Sequence, residues 1–190
     1  MPKKNSPVQT EQIHCDCPLL GFVGCSGTGK TTLLKQVIPL LKAHHLKLGI
    51  IKHAHHTFDI DIPGKDSYEL RKAGADQMLI ASQNRWALVT ETPEHLGDPD
   101  LQTLLAQLDE QLDLVLVEGF KHVPFPKIEL HRASLKQPLL FPEDPHIIAI
   151  ASDTPLTVAC PLPRLDLNQP TMVAEFVLRF IHTQQQDPVA

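Results

Sequence analysis

The 190-residue chain has a hydrophobic fraction of 42%, a charged fraction of 21% and a formal net charge of −5. This length suits one domain of ordinary size with a substantial core. No apolar run approaches the ~20 residues of a membrane-spanning helix, and the acidic balance argues against a general nucleic-acid partner.

The chain begins with a polar stretch, residues 1–17, that is expected to be a flexible tail without a secretory signal. Its Cys15-Asp16-Cys17 motif is too sparse for a zinc site without a second pair of ligands nearby. Together with Cys25 and Cys160, these cysteines are expected to be reduced thiols in a cytoplasmic protein.

A glycine-rich loop follows the first predicted strand, Leu19–Val23. The loop matches the phosphate-binding pattern G-x-x-x-x-G-K-[ST], in which glycines let consecutive backbone N–H groups surround a triphosphate. Lys30 can reach the β- and γ-phosphates, the Thr31 hydroxyl is placed to ligate Mg²⁺, and the helix that follows directs its positive end at the anion. The residues predicted to bind nucleotide here are Gly24, Cys25, Ser26, Gly27, Thr28, Gly29, Lys30, Thr31 and Thr32.

A His-rich loop, Lys52–Ser67, follows the second predicted strand at the sheet edge where open α/β proteins bind ligands. Imidazole and carboxylate groups would suit a transition metal; the set is His53, His55, His56, Asp59 and Asp61. A second interpretation is a switch loop, in which Asp59 or Asp61 contacts Mg²⁺ and Lys52 or His53 contacts phosphate or an anionic partner. A third is a solvated surface loop. The concentration of charged and His residues at this edge favours the switch loop.

Further elements complete a three-layer α/β fold with a mainly parallel sheet and an antiparallel insertion. Pro39 is expected to end or kink the helix after the glycine-rich loop. The other predicted elements are a helix Ser67–Ala75 capped by Asp66 or Ser67, a hairpin of Met78–Ala81 and Trp86–Val89, a helix capped by Asp98, strands Leu114–Val117, Ile128–His131, Ile147–Ile150 and Leu165–Leu167, and a helix Thr171–His182. The nucleotide-binding domain is predicted over residues 18–183, and residues 184–190 are expected to fray.

Two acidic residues follow buried strands at the predicted ligand edge. Glu118 occupies the place of a Walker B carboxylate, which holds Mg²⁺ or its water shell opposite the P-loop hydroxyl, so Thr31, Glu118 and Asp61 are the predicted metal ligands. Lys30 and Glu118 are the predicted catalytic residues. Asp153 could accept hydrogen bonds from guanine N1–H and N2–H₂, which would favour GTP over ATP, although the full Asn-Lys-x-Asp motif is missing.

With these motifs, the chain resembles the molybdopterin-guanine dinucleotide biosynthesis adapter (MobB) family over about residues 19–182. The blocks that carry the resemblance are Ser26–Leu33, Ile51–His56, Asp61–Tyr68, Arg71–Ala75, Asn84–Leu88, Thr90–Pro93, Leu116–Lys121 and Ala149–Asp153.

The resemblance implies a GTP-binding P-loop protein that forms a homodimer, has at most slow GTPase activity, and assists the guanylyltransferase that joins GMP to molybdopterin. It implies that residues 27–32 bind phosphate and Mg²⁺, and that the Lys52–Ser67 loop faces nucleotide or partner. The Met78–Val89 hairpin is a candidate dimer contact. Two alternatives remain open: a P-loop small-molecule kinase, and a metallochaperone that uses the His53–His56 loop.

Overall fold

A computed structural model describes residues 13–54, 58–93 and 97–186. The chain divides into two compact units: unit 1 contains the described residues up to His53 and from Asp100 onward, and unit 2 contains those from Ala54 to Pro99. The strands are β1 (Leu19–Val23), β2 (Leu48–Lys52), β3 (Gln77–Ser82), β4 (Arg85–Thr90), β5 (Leu114–Glu118), β6 (Lys127–His131), β7 (Ile147–Ser152) and β8 (Arg164–Asp166). The helices are α1 (Lys30–Lys42), α2 (Asp66–Lys72), a short 3-10 helix (Ala133–Leu135), α3 (Leu101–Leu105) and α4 (Pro170–Gln186).

Unit 1 is built on a six-stranded parallel sheet in the order β2-β5-β1-β6-β7-β8. Strand β1 lies between β5 and β6, so the loop that follows β1 starts in the middle of the sheet. All five residues of β1 and all five of β5 are buried, as expected for strands with both faces covered. The predicted mainly parallel α/β fold is confirmed.

Side chains of the central strands alternate between two apolar clusters on opposite faces of the sheet. In β5, Leu114 and Leu116 belong to a first cluster, which also contains residues of α1 and α4. Val115 and Val117 belong to a second cluster, which contains residues of α3. Helix-derived side chains therefore cover both faces, which gives the three layers.

Helix α1 passes through Pro39 and ends one turn later, at Lys42. Proline removes one backbone donor from a helix and often kinks or breaks it, but Leu41 lies beyond Pro39 and is fully buried in the first cluster. Burial of Leu41 offsets the lost hydrogen bond. Pro39 therefore does not end the helix, and a kink at Pro39 stays a prediction.

Both predicted helix caps are also wrong. Helix α2 begins at Asp66, with Lys65 as the N-cap residue and no side-chain cap hydrogen bond, while the Ser67 hydroxyl donates to Asp61 instead. Helix α3 begins at Leu101, and Asp100, not Asp98, accepts hydrogen bonds from the backbone N–H groups at the second and third helical positions. An aspartate in that geometry satisfies donors that the helix leaves unpaired.

Unit 2 contains α2 and the predicted antiparallel hairpin. Strands β3 and β4 pair through six registered positions, from Gln77 opposite Thr90 to Ser82 opposite Arg85, and a two-residue turn joins them. Leu79 and Leu88 face each other across the strands, and Trp86 shares their face of the hairpin. All three side chains are exposed, from 40% for Leu88 to 67% for Trp86.

Most of the predicted tail, residues 1–12, lies outside the described residues, as do residues 187–190. Residues 13–17 are described, and Ile13, Cys15 and Cys17 pack against the second apolar cluster. Among the described residues, none of the helices has the length and apolar character needed to cross a membrane.

Candidate nucleotide-binding site

The loop between β1 and α1 curls tightly because three of its residues are glycines with positive φ. The φ angles are 148° at Gly24, 83° at Gly27 and 93° at Gly29. Residues with a Cβ rarely adopt these conformations, so glycine lets the loop turn without strain. The turn places the loop before the N-terminus of a 13-residue helix, where unpaired N–H groups and the helix dipole favour an anion.

Lys30 folds back across this loop. Its Nζ donates to the carbonyl oxygens of Gly24 at 2.8 Å and of Cys25 at 3.0 Å. The Cys25 carbonyl also accepts a hydrogen bond from the Thr28 hydroxyl at 2.9 Å, so two side chains stabilise the same turn of backbone. Burial lowers the pKa of Lys30, and the negative charge of Glu118 opposes this effect. The ammonium group is therefore held at the loop, partly removed from water.

The register of the sheet brings Glu118 and Lys52 to the same place. Phe22 of β1 lies opposite Glu118 of β5, and Lys52 of β2 lies opposite Glu118 on the other side. The Thr31 hydroxyl lies 2.8 and 2.9 Å from the two Glu118 carboxylate oxygens, to which it donates. Lys52 Nζ lies 3.2 Å from the Thr31 hydroxyl and 3.4 Å from Glu118. A hydroxyl, a carboxylate and an ammonium group thus converge beside the glycine-rich loop.

The backbone turns sharply directly after Glu118. Gly119 and Phe120 have φ angles of 103° and 53°, and Phe120 is buried. The His53 N–H donates to the Glu118 carbonyl at 2.9 Å, and the His53 ring stacks on the Phe120 ring at a centroid distance of 4.8 Å. A Cβ on Gly119 would lie 2.8 Å from the His53 Cβ. His53 therefore packs tightly against the turn that ends β5.

Arg132 is the site residue that the sequence reasoning missed. Its Nε donates to the Thr28 carbonyl at 2.9 Å, and its Nη1 lies 3.4 Å from Asp153. The other Asp153 oxygen accepts from the Ala133 N–H at 3.2 Å. Arg132 directly follows β6, so the rule that pointed to Glu118, a charged residue just after a buried strand, would also have found it.

The arrangement of Arg132 gives Asp153 a defined position. Asp153 contacts the Arg132 guanidinium group, which donates to the Thr28 carbonyl of the glycine-rich loop. Each Asp153 carboxylate oxygen already has a protein donor. Contact between Asp153 and a guanine base stays a prediction.

Unit 2 contains Asp61, the third predicted metal ligand. One Asp61 oxygen accepts from Ser67 at 3.1 Å, and the other accepts from Arg71 Nε at 3.3 Å. Buried Arg71 also pairs with Asp59 and Glu91, so one guanidinium group holds three carboxylates. Both Asp61 oxygens thus have protein donors, and metal ligation by Asp61 stays a prediction.

The transition-metal interpretation of the His-rich loop gains no support. His55 and His56 lie outside the described residues. Within 13–54, 58–93 and 97–186, no group of three or more His, Cys, Asp or Glu side chains is placed to hold a metal ion.

The donor set of unit 1 fits a nucleoside triphosphate with Mg²⁺. The loop and the α1 N-terminus offer N–H groups to phosphate oxygens, and Lys30 adds a positive charge. Thr31 and Glu118 supply hydroxyl and carboxylate oxygens, the ligand types that Mg²⁺ takes in proteins.

Comparison with known proteins decides the family. The family model of "Molybdopterin guanine dinucleotide synthesis protein B" matches residues 19–153. The chain belongs to the MobB family. It is 52% identical over 169 residues to the molybdopterin-guanine dinucleotide biosynthesis adapter protein of Escherichia coli K12, covering 88% of this chain and 95% of that protein. The adapter protein of Haemophilus influenzae is 46% identical over 167 residues, with 87% and 90% coverage.

Solved MobB structures share this fold. The crystal structure of Bacillus subtilis MobB aligns with a TM-score of 0.65 at 26% identity, covering 86% of this chain and 97% of that one. The MobB homologue of Bacillus stearothermophilus aligns with a TM-score of 0.63 at 23% identity, covering 87% and 98%. MobB membership confirms the predicted adapter family, and it supports neither the small-molecule kinase nor the metallochaperone.

The Gly119→Ala variant tests the packing of His53 against the turn after Glu118, and Gly74→Ala is its matched control. Gly74 has a φ of 115°, close to that of Gly119, but a Cβ there would meet nothing within 4 Å. Both variants acquire backbone strain of about 1–3 kcal/mol, and only Gly119→Ala also forces His53 away from the end of β5. We expect urea denaturation to show a larger loss of unfolding free energy for Gly119→Ala. Equal losses would contradict the close packing of His53.

Proposed function

We propose that this MobB-family chain binds GTP with Mg²⁺ at the glycine-rich loop, and presents the nucleotide to the guanylyltransferase that joins GMP to molybdopterin. The observation that carries nucleotide binding is the convergence of Lys30, Thr31 and Glu118 at one edge of the sheet. The adapter function is supported by the names of the relatives, which are molybdopterin-guanine dinucleotide biosynthesis adapter proteins. A cytoplasmic location agrees with four free cysteines.

In the proposed complex, each residue of unit 1 has a distinct task. Lys30 leaves the carbonyl oxygens of Gly24 and Cys25 and pairs with phosphate, while residues 24–29, Thr31 and Thr32 surround the phosphates. Thr31 and Glu118 hold Mg²⁺, which would neutralise phosphate charge. Lys52, which contacts Thr31 and Glu118, would pair with phosphate, and His53 keeps the end of β5 in place.

Slow hydrolysis is part of the proposal. An arginine that contacts the transferred phosphate, often supplied by a partner, can raise the rate by ~10³–10⁵. Arg132 adjoins the glycine-rich loop, but its Nε and Nη1 donors are directed at the Thr28 carbonyl and at Asp153. We therefore assign Arg132 to positioning the loop, and expect turnover to stay low without a partner.

Partner recognition is proposed for the segment Phe58–Ile62 of unit 2. Arg71 binds Asp59 and Asp61, and the alternate side chains Phe58, Ile60 and Ile62 are exposed by 63–69%. Exposed apolar groups of this size are typical of protein interaction surfaces.

The central test compares Lys30→Ala with Lys35→Ala, an exposed lysine on the same helix. Lys30→Ala removes a charge-assisted contact worth about 1.5–3 kcal/mol, so equilibrium binding of labelled GTP should weaken by about 10- to 150-fold. Lys35→Ala should bind as the parent does. Retained affinity in Lys30→Ala, with an unchanged circular dichroism spectrum, would show that the loop is not the nucleotide site.

The same proteins test the adapter function in a pull-down with the guanylyltransferase. Capture should require GTP, and the Lys30→Ala variant should not be captured. Ile60→Glu should lose capture while it still binds GTP, because the change is confined to the exposed segment. Equal capture with and without GTP, and equal capture of Lys30→Ala, would show that partner binding does not depend on the nucleotide site.

Asp153→Ala distinguishes base recognition from loop positioning. Because both Asp153 oxygens are in hydrogen bonds with Arg132 and Ala133, we expect the variant to weaken GTP and ATP binding by a similar factor. The measurement is the ratio of the two dissociation constants, compared with that of the parent protein. A selective loss of GTP affinity would instead assign Asp153 to guanine.

Homodimer formation through the hairpin is the last part of the proposal. Leu79, Trp86 and Leu88 present an exposed apolar face, and an isolated two-stranded hairpin is marginally stable without a covered face. We expect Trp86→Glu to weaken dimerisation about 30-fold or more, as loss of an aromatic hot spot of ≥2 kcal/mol would. Light scattering across a dilution series measures this change. Gln83→Glu, which adds the same charge at the turn, should leave the dimer intact; a monomeric parent would refute the interface.

A further inference from the structure

A pair of cysteines lies outside the candidate nucleotide-binding site. Cys15 and Cys17 belong to unit 1, and their Sγ atoms are 3.7 Å apart. Both are partly buried free thiols packed against the second apolar cluster. At this distance either thiol can donate a hydrogen bond to the other.

Two hydrogen bonds between the His14 backbone and the Gln102 side chain hold the segment that contains the pair. The His14 N–H donates to the Gln102 side-chain oxygen at 2.8 Å, and the Gln102 side-chain nitrogen donates to the His14 carbonyl at 2.9 Å. Gln102 belongs to α3. This reciprocal pair fixes the residue before Cys15, so the short separation of the sulfur atoms belongs to an anchored segment.

An open cavity of about 270 Å³ gives small molecules access to the two sulfur atoms. Besides the cysteines, its lining includes three carboxylates, Asp16, Asp109 and Glu110, and one imidazole, His14. The excess of negative charge at this cavity disfavours anions and favours cationic or neutral molecules.

We propose that Cys15 and Cys17 form a thiol–disulfide exchange site, which a small cationic or neutral disulfide oxidises reversibly. Cys15 is the attacking residue and Cys17 is the resolving residue.

The acidity of the two thiols supports these roles. The hydrogen bond with Cys17 lowers the pKa of Cys15 to about 6, which favours the thiolate form of Cys15. The same bond, and burial, raise the pKa of Cys17. Redox-active cysteines are commonly low-pKa, accessible thiols beside a resolving cysteine.

The reaction balances in two exchanges. The Cys15 thiolate attacks one sulfur of the small disulfide, forms a mixed disulfide and expels a thiolate, which takes a proton. Cys17 then loses its proton more readily, because the neighbouring negative charge is gone. It attacks the Cys15 sulfur, forms the Cys15–Cys17 disulfide and releases the second small thiol. The protein dithiol is oxidised and one small disulfide is reduced to two thiols.

The test treats the reduced full-length protein with cystamine, a cationic disulfide, and maps the products by mass spectrometry after acid quenching. We expect Cys15 and Cys17 to lose two hydrogens together, while Cys25 and Cys160 stay reduced as internal controls. Cys17→Ala should instead accumulate the mixed disulfide on Cys15, and Cys17→Ser should do the same if the alanine variant folds poorly. Modification of Cys15 no earlier than Cys160, or a stable mixed disulfide in the parent, would overturn the proposal.

Two further measurements identify the mechanism and the disulfide class. A lower pKa raises the thiolate fraction but reduces intrinsic nucleophilicity, so the informative quantity is the pH midpoint of Cys15 alkylation. It should lie near pH 6 in the parent and rise by about 2–3 units in Cys17→Ala, toward an ordinary thiol. Anionic oxidised glutathione should react about fivefold more slowly than cystamine, as repulsion across one close charge pair would give. An unchanged midpoint, or equal rates for the two disulfides, would contradict the assignment.

Discussion

The parallel register of β5 between β1 and β2 is the constraint on which the site depends. It places Glu118 beside Phe22 on one side and beside Lys52 on the other. Because β1 runs directly into the glycine-rich loop, the same register brings Thr31 within hydrogen-bond distance of Glu118. A shift of one residue would turn Glu118 toward the opposite face of the sheet, where Val117 now packs in the second apolar cluster. Burial of the alternating β5 side chains on both faces therefore fixes the chemistry at the end of the strand.

Charge balance explains why this site can hold so many ionic groups. Lys30, partly removed from water, is paired with carbonyl oxygens, and Glu118, which is buried, accepts from a hydroxyl and lies near Lys52. Buried charges without such partners would cost several kcal/mol each. In the proposed complex, phosphate would pair with the lysine and Mg²⁺ would pair with the carboxylate. Binding would then exchange the protein contacts of these groups for contacts with the ligand.

The parts of the fold that were predictable are those set by local sequence. Strands β1 and β5 were identified by the apolar runs Leu19–Val23 and Leu114–Val117, and the loop by its glycine spacing, because both patterns depend on neighbours in sequence. Side-chain contacts that the local sequence pattern does not reveal decided the rest. Leu41 holds α1 together beyond Pro39, Ser67 turns to Asp61 instead of capping α2, and Arg132 reaches Thr28 across more than 100 positions. Glu118 was found only because parallel strands end at a common edge, a rule that would also have found Arg132.

Unit 2 is stabilised differently from unit 1, and this difference bears on adapter function. Both large apolar clusters of the described residues lie in unit 1. In unit 2 the central contact is a buried arginine, Arg71, that binds Asp59, Asp61 and Glu91. Asp59 and Asp61 pair with Arg71, while their neighbours Phe58, Ile60 and Ile62 are exposed. Ionic contacts and exposed apolar side chains thus lie in the same segment. Exposed apolar groups of this size are typical of protein interaction surfaces, which agrees with the partner contact proposed for Phe58–Ile62.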